Sequence, residues 1–530
     1  MNTPNRGLSR RAFIRQSACA SLGISALVNS ITQLKLLGSA VASTDVSTSD
    51  YKALICIFLA GGNDSANMIF PIGDPATDEV RADYEAARRD VAQPKLGDEG
   101  FPLEGTILSL PNGEGGSQQT KAFDKHYAGQ VPAMGVNPRA PELAEMFNDG
   151  DLAFVCNVGS LVEPIISRDA YIQKEVARPK QLFSHSNQQK QWQTSIADEA
   201  MQTGWGGRIA DLLHSSGSSD KVSMLVSMAG INSFEIAGGN SNLSQYVMST
   251  NGAEPYSGYG SSASPYSNAY ANGVDASSGY LQTDTGRRLA AFEGVMNNVQ
   301  ANLMDEEYYK RVRSSRNYQA SVEAALIAAS ATGVDFDEKF ANANSSLGRQ
   351  LKMVAKLIAG RQQIGNARQI FFCRVGGYDN HSGLLENHGN VMAELSSSIA
   401  ALRDTLKDPA VDCFDSVTTF TSSDFSRTLN PNASSGTDHA WAGHCIVMGG
   451  AVNGGDLYGH FPSLKLGDQE GSIDSHSSRG LLIPDVSVDQ YSAVIASWFG
   501  VESTEMETAF PYLYRFDDPF TVNEMNLKFL

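Results

Sequence analysis

The sequence predicts an α/β protein built on a mostly parallel central sheet sandwiched between helices. Short apolar runs recur at residues 53–60, 152–158, 222–228, 369–375, 417–421 and 445–448. They do not alternate with polar residues, which is the pattern of strands buried on both faces. Helical stripes lie between them. One is Leu347, Leu351, Val354, Ala355 and Ile358; another is Leu384, Leu385, His388, Met392, Leu395 and Ile399. Each run also ends in polar or glycine-rich residues. Strand–helix alternation of this kind builds parallel sheets, whose ligands bind beyond the carboxyl ends of the strands.

The N-terminus suggests a compartment. Ser9-Arg10-Arg11-Ala12-Phe13-Ile14-Arg15 is the pattern read by the twin-arginine receptor; weakly apolar residues follow, and Ala40-Val41-Ala42 suits a signal peptidase. A cytoplasmic amphipathic helix carrying Arg-Arg is the bland alternative. The expectation is a signal peptide over 1–42, partnership with the twin-arginine translocase during export, and a periplasmic mature protein. No stable membrane span is expected, since no run approaches the ~20 apolar residues a span requires. Residues 43–530 suit one elaborated domain, with insertions at about 75–135 and 240–345.

Charge excludes some partners. The net charge is −18, and residues 1–42 hold five basic side chains (Arg6, Arg10, Arg11, Arg15, Lys35) and no acid, so the remainder stands at −23. Such a surface repels nucleic acid and anionic lipid, leaving a small-molecule or carbohydrate/lipid ester as the expected substrate class. Of the six cysteines Cys19 falls in the signal, and no C-x-x-C pair occurs. Buried thiols explain the other five better than a disulfide framework. Within the second insertion, residues 250–283 are rich in Ser, Gly, Asn and Tyr, which reads as an exposed insertion or as a tyrosine-bearing lid. A helix with a polar first half is expected from about 305 to 329.

Acids and histidines wait just past several strand ends. The first run leads to Gly61-Gly62-Asn63-Asp64, the fourth to Gly376-Gly377-Tyr378-Asp379-Asn380-His381, and the fifth to Ser422-Ser423-Asp424-Phe425-Ser426-Arg427. Gly436-Thr437-Asp438-His439-Ala440-Trp441-Ala442-Gly443-His444 leads into the last. With the strands as parallel neighbours, Asp64, Asp379, His381, Asp424, Asp438, His439 and His444 would converge on one edge. Mixed carboxylate and imidazole ligands suit a divalent metal: zinc, manganese, calcium or iron. Each fragment alone has a plainer reading, Asp64 as a helix cap and His388 as a core histidine. Ser184, His185 and Ser186 precede a helix expected over 190–200. Ser184 or Ser186 there is a candidate nucleophile at a helix N-terminus, while Ser186 or Asn187 as a simple cap is the alternative. Arg427 is a candidate oxyanion clamp or the partner of an acid of the fold. Neither G-x-S-x-G nor G-x-x-x-x-G-K-[ST] occurs.

These segments resemble a known family. IFLAGGNDSANMIFP, FSHSNQQKQWQTS with GWGGRIAD, GGYDNHSGLLENH, SSDFSRT, GTDHAWAGH, VMGGAVNGGDLYG and RGLLIPDVSVDQYSAVIASWFGV look, in order, like the domain-of-unknown-function 1501 family. That family is similar to the alkaline phosphatase and sulfatase superfamily. The resemblance implies an alkaline-phosphatase-like fold, with Asp64 as the first-strand metal aspartate and Asp379 with His381 as a mid-chain metal pair. It further implies Asp424 as a later metal aspartate, and Asp438/His439 or His444 at the final histidine site. The chain departs from the superfamily in three places. It lacks the C-x-P-x-R segment of sulfatases and a clear counterpart of the phosphatase nucleophile, and Asp424-Phe425 stands where Asp-His is frequent. The expectation is a metal-dependent hydrolase of phosphate, sulfate or related esters. The alternatives are a non-catalytic envelope protein on the same fold and, more remotely, a serine hydrolase using Ser184.

Overall fold

A computed structural model describes residues 50–95, 107–108, 118–130, 132–217, 222–238, 243–252, 269–271, 278–297, 318–319, 321–521 and 526–530. The chain divides into Met1–Ser47 and Thr48–Leu530, and everything described belongs to the second unit. The signal-peptide expectation therefore lies outside the described residues. So do most of 250–283 and the first half of the helix expected over 305–329; residues 321–331 are helical.

Strand β1 (Lys52–Leu59) shows how the layers arise. Ala53, Ile55, Ile57 and Leu59 enter one apolar core, while Leu54, Cys56 and Phe58 enter a second on the opposite face. A strand covered on both sides has no polar face, which is why its sequence does not alternate. The first core takes helices α4 (Ser346–Ala359), with its whole apolar stripe, and α5 (Leu384–Leu406), through Met392, Leu395 and Ile399; Leu385, expected on that stripe, is exposed. The second takes α2 (His185–Thr194), α3 (Trp205–Gly217) and α6 (Val488–Phe499). A Ser487/Gln490 capping box starts α6. One further helix, α1 (Glu79–Arg88), belongs to the first insertion and lays Val80, Tyr84, Ala87 and Arg88 on one buried stripe.

The main sheet runs β11-β5-β10-β9-β1-β8-β6-β7, with β12 also pairing β5. Its members are β5 (Leu152–Gly159), β6 (Leu225–Ser227), β7 (Tyr246–Val247), β8 (Arg368–Val375), β9 (Val417–Ser423), β10 (Gly443–Met448), β11 (Leu457–Tyr458) and β12 (Val486–Ser487). A small antiparallel sheet joins β2 (Ile69–Pro71), β4 (Met134–Val136) and β3 (Ile107–Leu108). The expectation of parallel neighbours needs one correction. Strand β10 runs antiparallel to both β5 and β9. Its amino end therefore lies at the edge where β1, β5, β8 and β9 finish, so segment 436–442, which precedes it, joins that edge from the other direction. Cys56, Cys156, Cys373, Cys413 and Cys445 are buried free thiols.

Candidate metal centre

Four segments bring side chains together at this edge. Asp379 and His381 follow β8. Asp424 follows β9, and the chain then makes a short antiparallel ladder: Thr428 N donates to Asp438 O, Ala440 N to Ser426 O and Ser426 N to Trp441 O. That ladder holds Asp438 and His439. His185 opens α2, with Ser184 at the N-cap position. Close packing beneath depends on glycine. Gly61 and Gly62 have φ of +119° and +88°, and a Cβ on Gly62 would lie 2.5 Å from the Phe425 ring.

Three imidazoles are tethered through Nδ1 and aim Nε2 at one carboxylate. His185 Nδ1 lies 2.5 Å from Asp424 Oδ2, His381 Nδ1 3.1 Å from Asp438 Oδ1, and His439 Nδ1 2.8 Å from the Phe183 carbonyl oxygen. A carbonyl or carboxylate oxygen accepts, so each Nδ1 carries the hydrogen and each neutral ring presents an Nε2 lone pair. Those Nε2 atoms stand 3.6 Å (His185), 3.0 Å (His381) and 3.4 Å (His439) from the carboxylate oxygens of Asp379. His381 and His439 Nε2 are themselves 3.2 Å apart. The Phe183 carbonyl is aimed by backbone strain: Phe183 has φ of +70°, and its N–H donates to Gln188 Oε1 at 2.7 Å.

The electrostatics follow from this packing. Partial burial pushes Asp379 upward, but the Arg427 guanidinium (2.6 Å from Oδ1), His381 and His185 together hold it below the usual carboxylate range. His439 is held below the ordinary imidazole value, first by burial and then by Arg427 and His185, against the raising effect of its bond to Phe183. Phe425 lies against His185 (4.8 Å) and His439 (4.6 Å), forming an apolar wall where the resemblance leads one to expect a histidine. Asp379 and His381 are close to half exposed, so the opposite side is open to solvent.

This donor set fits a divalent metal. His185, Asp379 and His439 each offer a ligand atom, all within 4.8 Å of one another, and His381 adds a fourth beside them. Imidazoles oriented through Nδ1 by oxygen acceptors are the usual surroundings of metal-ligating histidines.

Other expected site residues lie elsewhere. Asp424 and Asp438 stand behind His185 and His381 as tethers; Gln189 Nε2 also donates to Asp424 at 3.0 Å, and Arg479 pairs with Asp438. Asp64 is fully buried against Arg88 at 3.0 Å and accepts a hydrogen bond from Thr437 Oγ1 at 3.1 Å. His444 turns into the interior, stacked on Phe461 with its Nδ1 accepting from Asn157 N–H, and burial pushes its pKa down to about 3. Arg427 is not available to clamp a substrate. Its side chain is fully buried and bonds Asp379 and the carbonyls of Gly61 and Thr437. Ser184 Oγ accepts from Asn187 Nδ2 at 2.9 Å and lies 3.4 Å from the exposed Ser186 Oγ. His185, the nearest base in sequence, has both ring nitrogens facing carboxylates. His388 is a core histidine: its Nε2 meets Asn63 Oδ1 at 2.9 Å, and burial lowers it to about 4.

Sequence reasoning missed two contributors. Arg88 lay in an insertion read as an excursion, although its spacing from Val80, Tyr84 and Ala87 marks it as facing the core. The Phe183 carbonyl has no side-chain signal at all.

Sheet and cluster together define an α/β protein with a histidine–carboxylate centre at the carboxyl edge of its strands. The profile of the family described as "Protein of unknown function (DUF1501)" matches residues 51–477, and the chain belongs to that family. No curated protein and no solved structure matches it.

Proposed function

We propose that this protein is an exported, metal-dependent hydrolase of phosphate, sulfate or related esters, built on an alkaline-phosphatase-like fold. One observation carries the reading. Three Nε2 lone pairs face the carboxylate of Asp379, all of them acceptors, across 3.0–3.6 Å. Acceptors so placed repel unless protons or a cation stand between them. Export is supported by the Arg10-Arg11 segment and Ala40-Val41-Ala42. The ester class is supported by the resemblance of the motifs around Asp379, Asp424 and His439.

His185, His381, His439 and Asp379 are the residues that would hold the ion, with zinc, manganese, calcium and iron as candidates. A bound divalent ion supplies Lewis acidity toward a phosphoryl or sulfuryl oxygen. Asp424, Asp438 and the Phe183 carbonyl keep the imidazoles in the ligating tautomer. Arg427 bonds Oδ1 of Asp379, the oxygen that also faces His381 and His439, while Oδ2 faces His185. Phe425 keeps water from one side, and the exposed Asp379/His381 side admits a small-molecule, carbohydrate or lipid ester. The test is metal analysis of protein purified without chelator, followed by turnover of a panel of phosphate and sulfate esters. Absence of both bound metal and turnover overturns the reading.

A second reading, a non-catalytic envelope binding or assembly protein, is favoured by Phe425 in the place of a ligand and by the commitment of Asp64 to Arg88. Metal-independent binding of an envelope polysaccharide, without turnover, distinguishes it.

A further inference from the structure

On the proposed metal-dependent reading, the number of cations the centre takes turns on a second ion pair beside it. Arg88 Nη2 meets Asp64 Oδ2 at 3.0 Å, while Nη1 donates to the carbonyl oxygens of Thr428 at 3.1 Å and Leu429 at 3.2 Å. A carboxylate and two backbone carbonyls gathered around one guanidinium are oxygen donors of the kind a hard cation takes. Here the guanidinium takes the cation's place. Both partners are sealed, with side-chain exposures of 0% for Arg88 and 1% for Asp64.

This pair lies directly behind the histidine cluster. Thr437 joins them: its hydroxyl donates to Asp64 Oδ2, and its carbonyl accepts from Arg427, which holds Asp379. Two arginine–carboxylate pairs therefore stand back to back, Arg88 with Asp64 and Arg427 with Asp379. A divalent ion beside Asp64 would meet two fixed positive charges in a sealed interior, whereas Asp379, though also paired with an arginine, is close to half exposed and faces imidazole Nε2 atoms. The carboxylates of Asp424 and Asp438 are spent on His185 and His381. Of these four carboxylates, Asp379 alone has its oxygens directed at imidazole Nε2 atoms.

We infer that the centre takes a single divalent ion, at His185, His381, His439 and Asp379, and that Arg88 occupies a second cation position as part of the polypeptide. Asp64 is thereby a structural ion-pair partner. It is not a ligand.

The test measures zinc and manganese stoichiometry on the full chain by metal analysis and calorimetric titration. Asp64→Asn and His439→Ala are measured alongside for affinity and Tm. The expected result is one ion per chain. His439→Ala weakens binding by more than roughly the 10–100-fold typical of losing an outer partner. Asp64→Asn lowers Tm but leaves the ion's Kd within about threefold of the unmodified protein, well short of that range. Two ions per chain, or a loss of affinity of tenfold or more in Asp64→Asn, overturns the single-ion assignment while sparing the metal-dependent reading. No ion at all overturns both. Should Asp64→Asn fail to fold, stoichiometry on the unmodified chain still decides.

Discussion

His381 Nε2 lies 3.2 Å from His439 Nε2, with both rings bonded through Nδ1 to oxygen acceptors. Neutral rings would oppose two lone pairs across that gap, so a proton or a cation must lie there, and the two compete. His439 sits below the ordinary imidazole value, so it is already neutral at pH 7. Zinc affinity is therefore expected to be nearly flat above pH ~7 and to fall only below the ordinary imidazole value of ~6.5, where His439 takes up its proton. Calorimetric titration at three pH values checks this; an affinity independent of pH down to ~5 contradicts it.

Asp424 holds His185 from behind at 2.5 Å and is itself fully buried. Asp424→Asn keeps the shape and removes the charge that fixes the tautomer. Outer partners of this kind typically contribute roughly 10–100-fold in metal affinity, and that loss is expected here. The measurement is a competition titration against a chromogenic chelator. An unchanged Kd would remove Asp424 from the centre.

Gly62→Ala is expected to disturb the fold and the site together. Its φ of +88° disfavours any side chain, and the new Cβ would lie 2.5 Å from the Phe425 ring, which in turn packs on His185 and His439. Strain at such a residue costs on the order of 1–3 kcal/mol. Denaturant unfolding should show a loss of that size, accompanied by weaker metal binding.

Buried histidines shape the acid limb of stability. His388 has a folded pKa of about 4, lowered chiefly by burial, while in the unfolded chain it titrates near ~6.5. Between these values the unfolded state binds the extra proton. The contribution of His388 is therefore complete above pH ~6.5 and is lost as pH falls toward ~4, amounting to on the order of 3 kcal/mol. His388→Gln should flatten the stability–pH curve over that window. A curve as steep as that of the unmodified protein would show that other groups set the slope.

Ser184 and Ser186 bond to Asn187 and lie near each other, and the adjacent His185 has both ring nitrogens turned to carboxylates. Neither is expected to react with a fluorophosphonate probe, and Ser184→Ala should leave any ester turnover within about twofold. Covalent labelling of Ser184 would revive the serine-hydrolase alternative.

Much of the layer architecture was legible because burial on both faces leaves a plain mark. The runs at 53–60 and 369–375 became β1 and β8 within a residue at each end, and the stripe of α4 entered the core as periodicity implied; that of α5 did so through Met392, Leu395 and Ile399, while Leu385 is exposed. The site was legible only as a list of residues past strand ends. Spacing could place Asp64, Asp379, Asp424 and His439 at one edge, since each follows or precedes a strand. It could not say which carboxylate meets an imidazole and which meets an arginine. That choice turned on Arg88, 24 residues from Asp64, and on Arg427, 48 residues from Asp379.

The sequence by itself therefore determined the α/β class and the strands β1, β5, β6, β8, β9 and β10, because local apolar pattern reports burial directly. It also supplied the residues from which a metal centre could be built. Only the tertiary structure decided that β10 runs backwards, that Asp64 belongs to Arg88, and that His185 joins His381 and His439 around Asp379. These are contacts between segments far apart in the chain, set by charge pairing and packing in three dimensions, and local pattern carries no record of them.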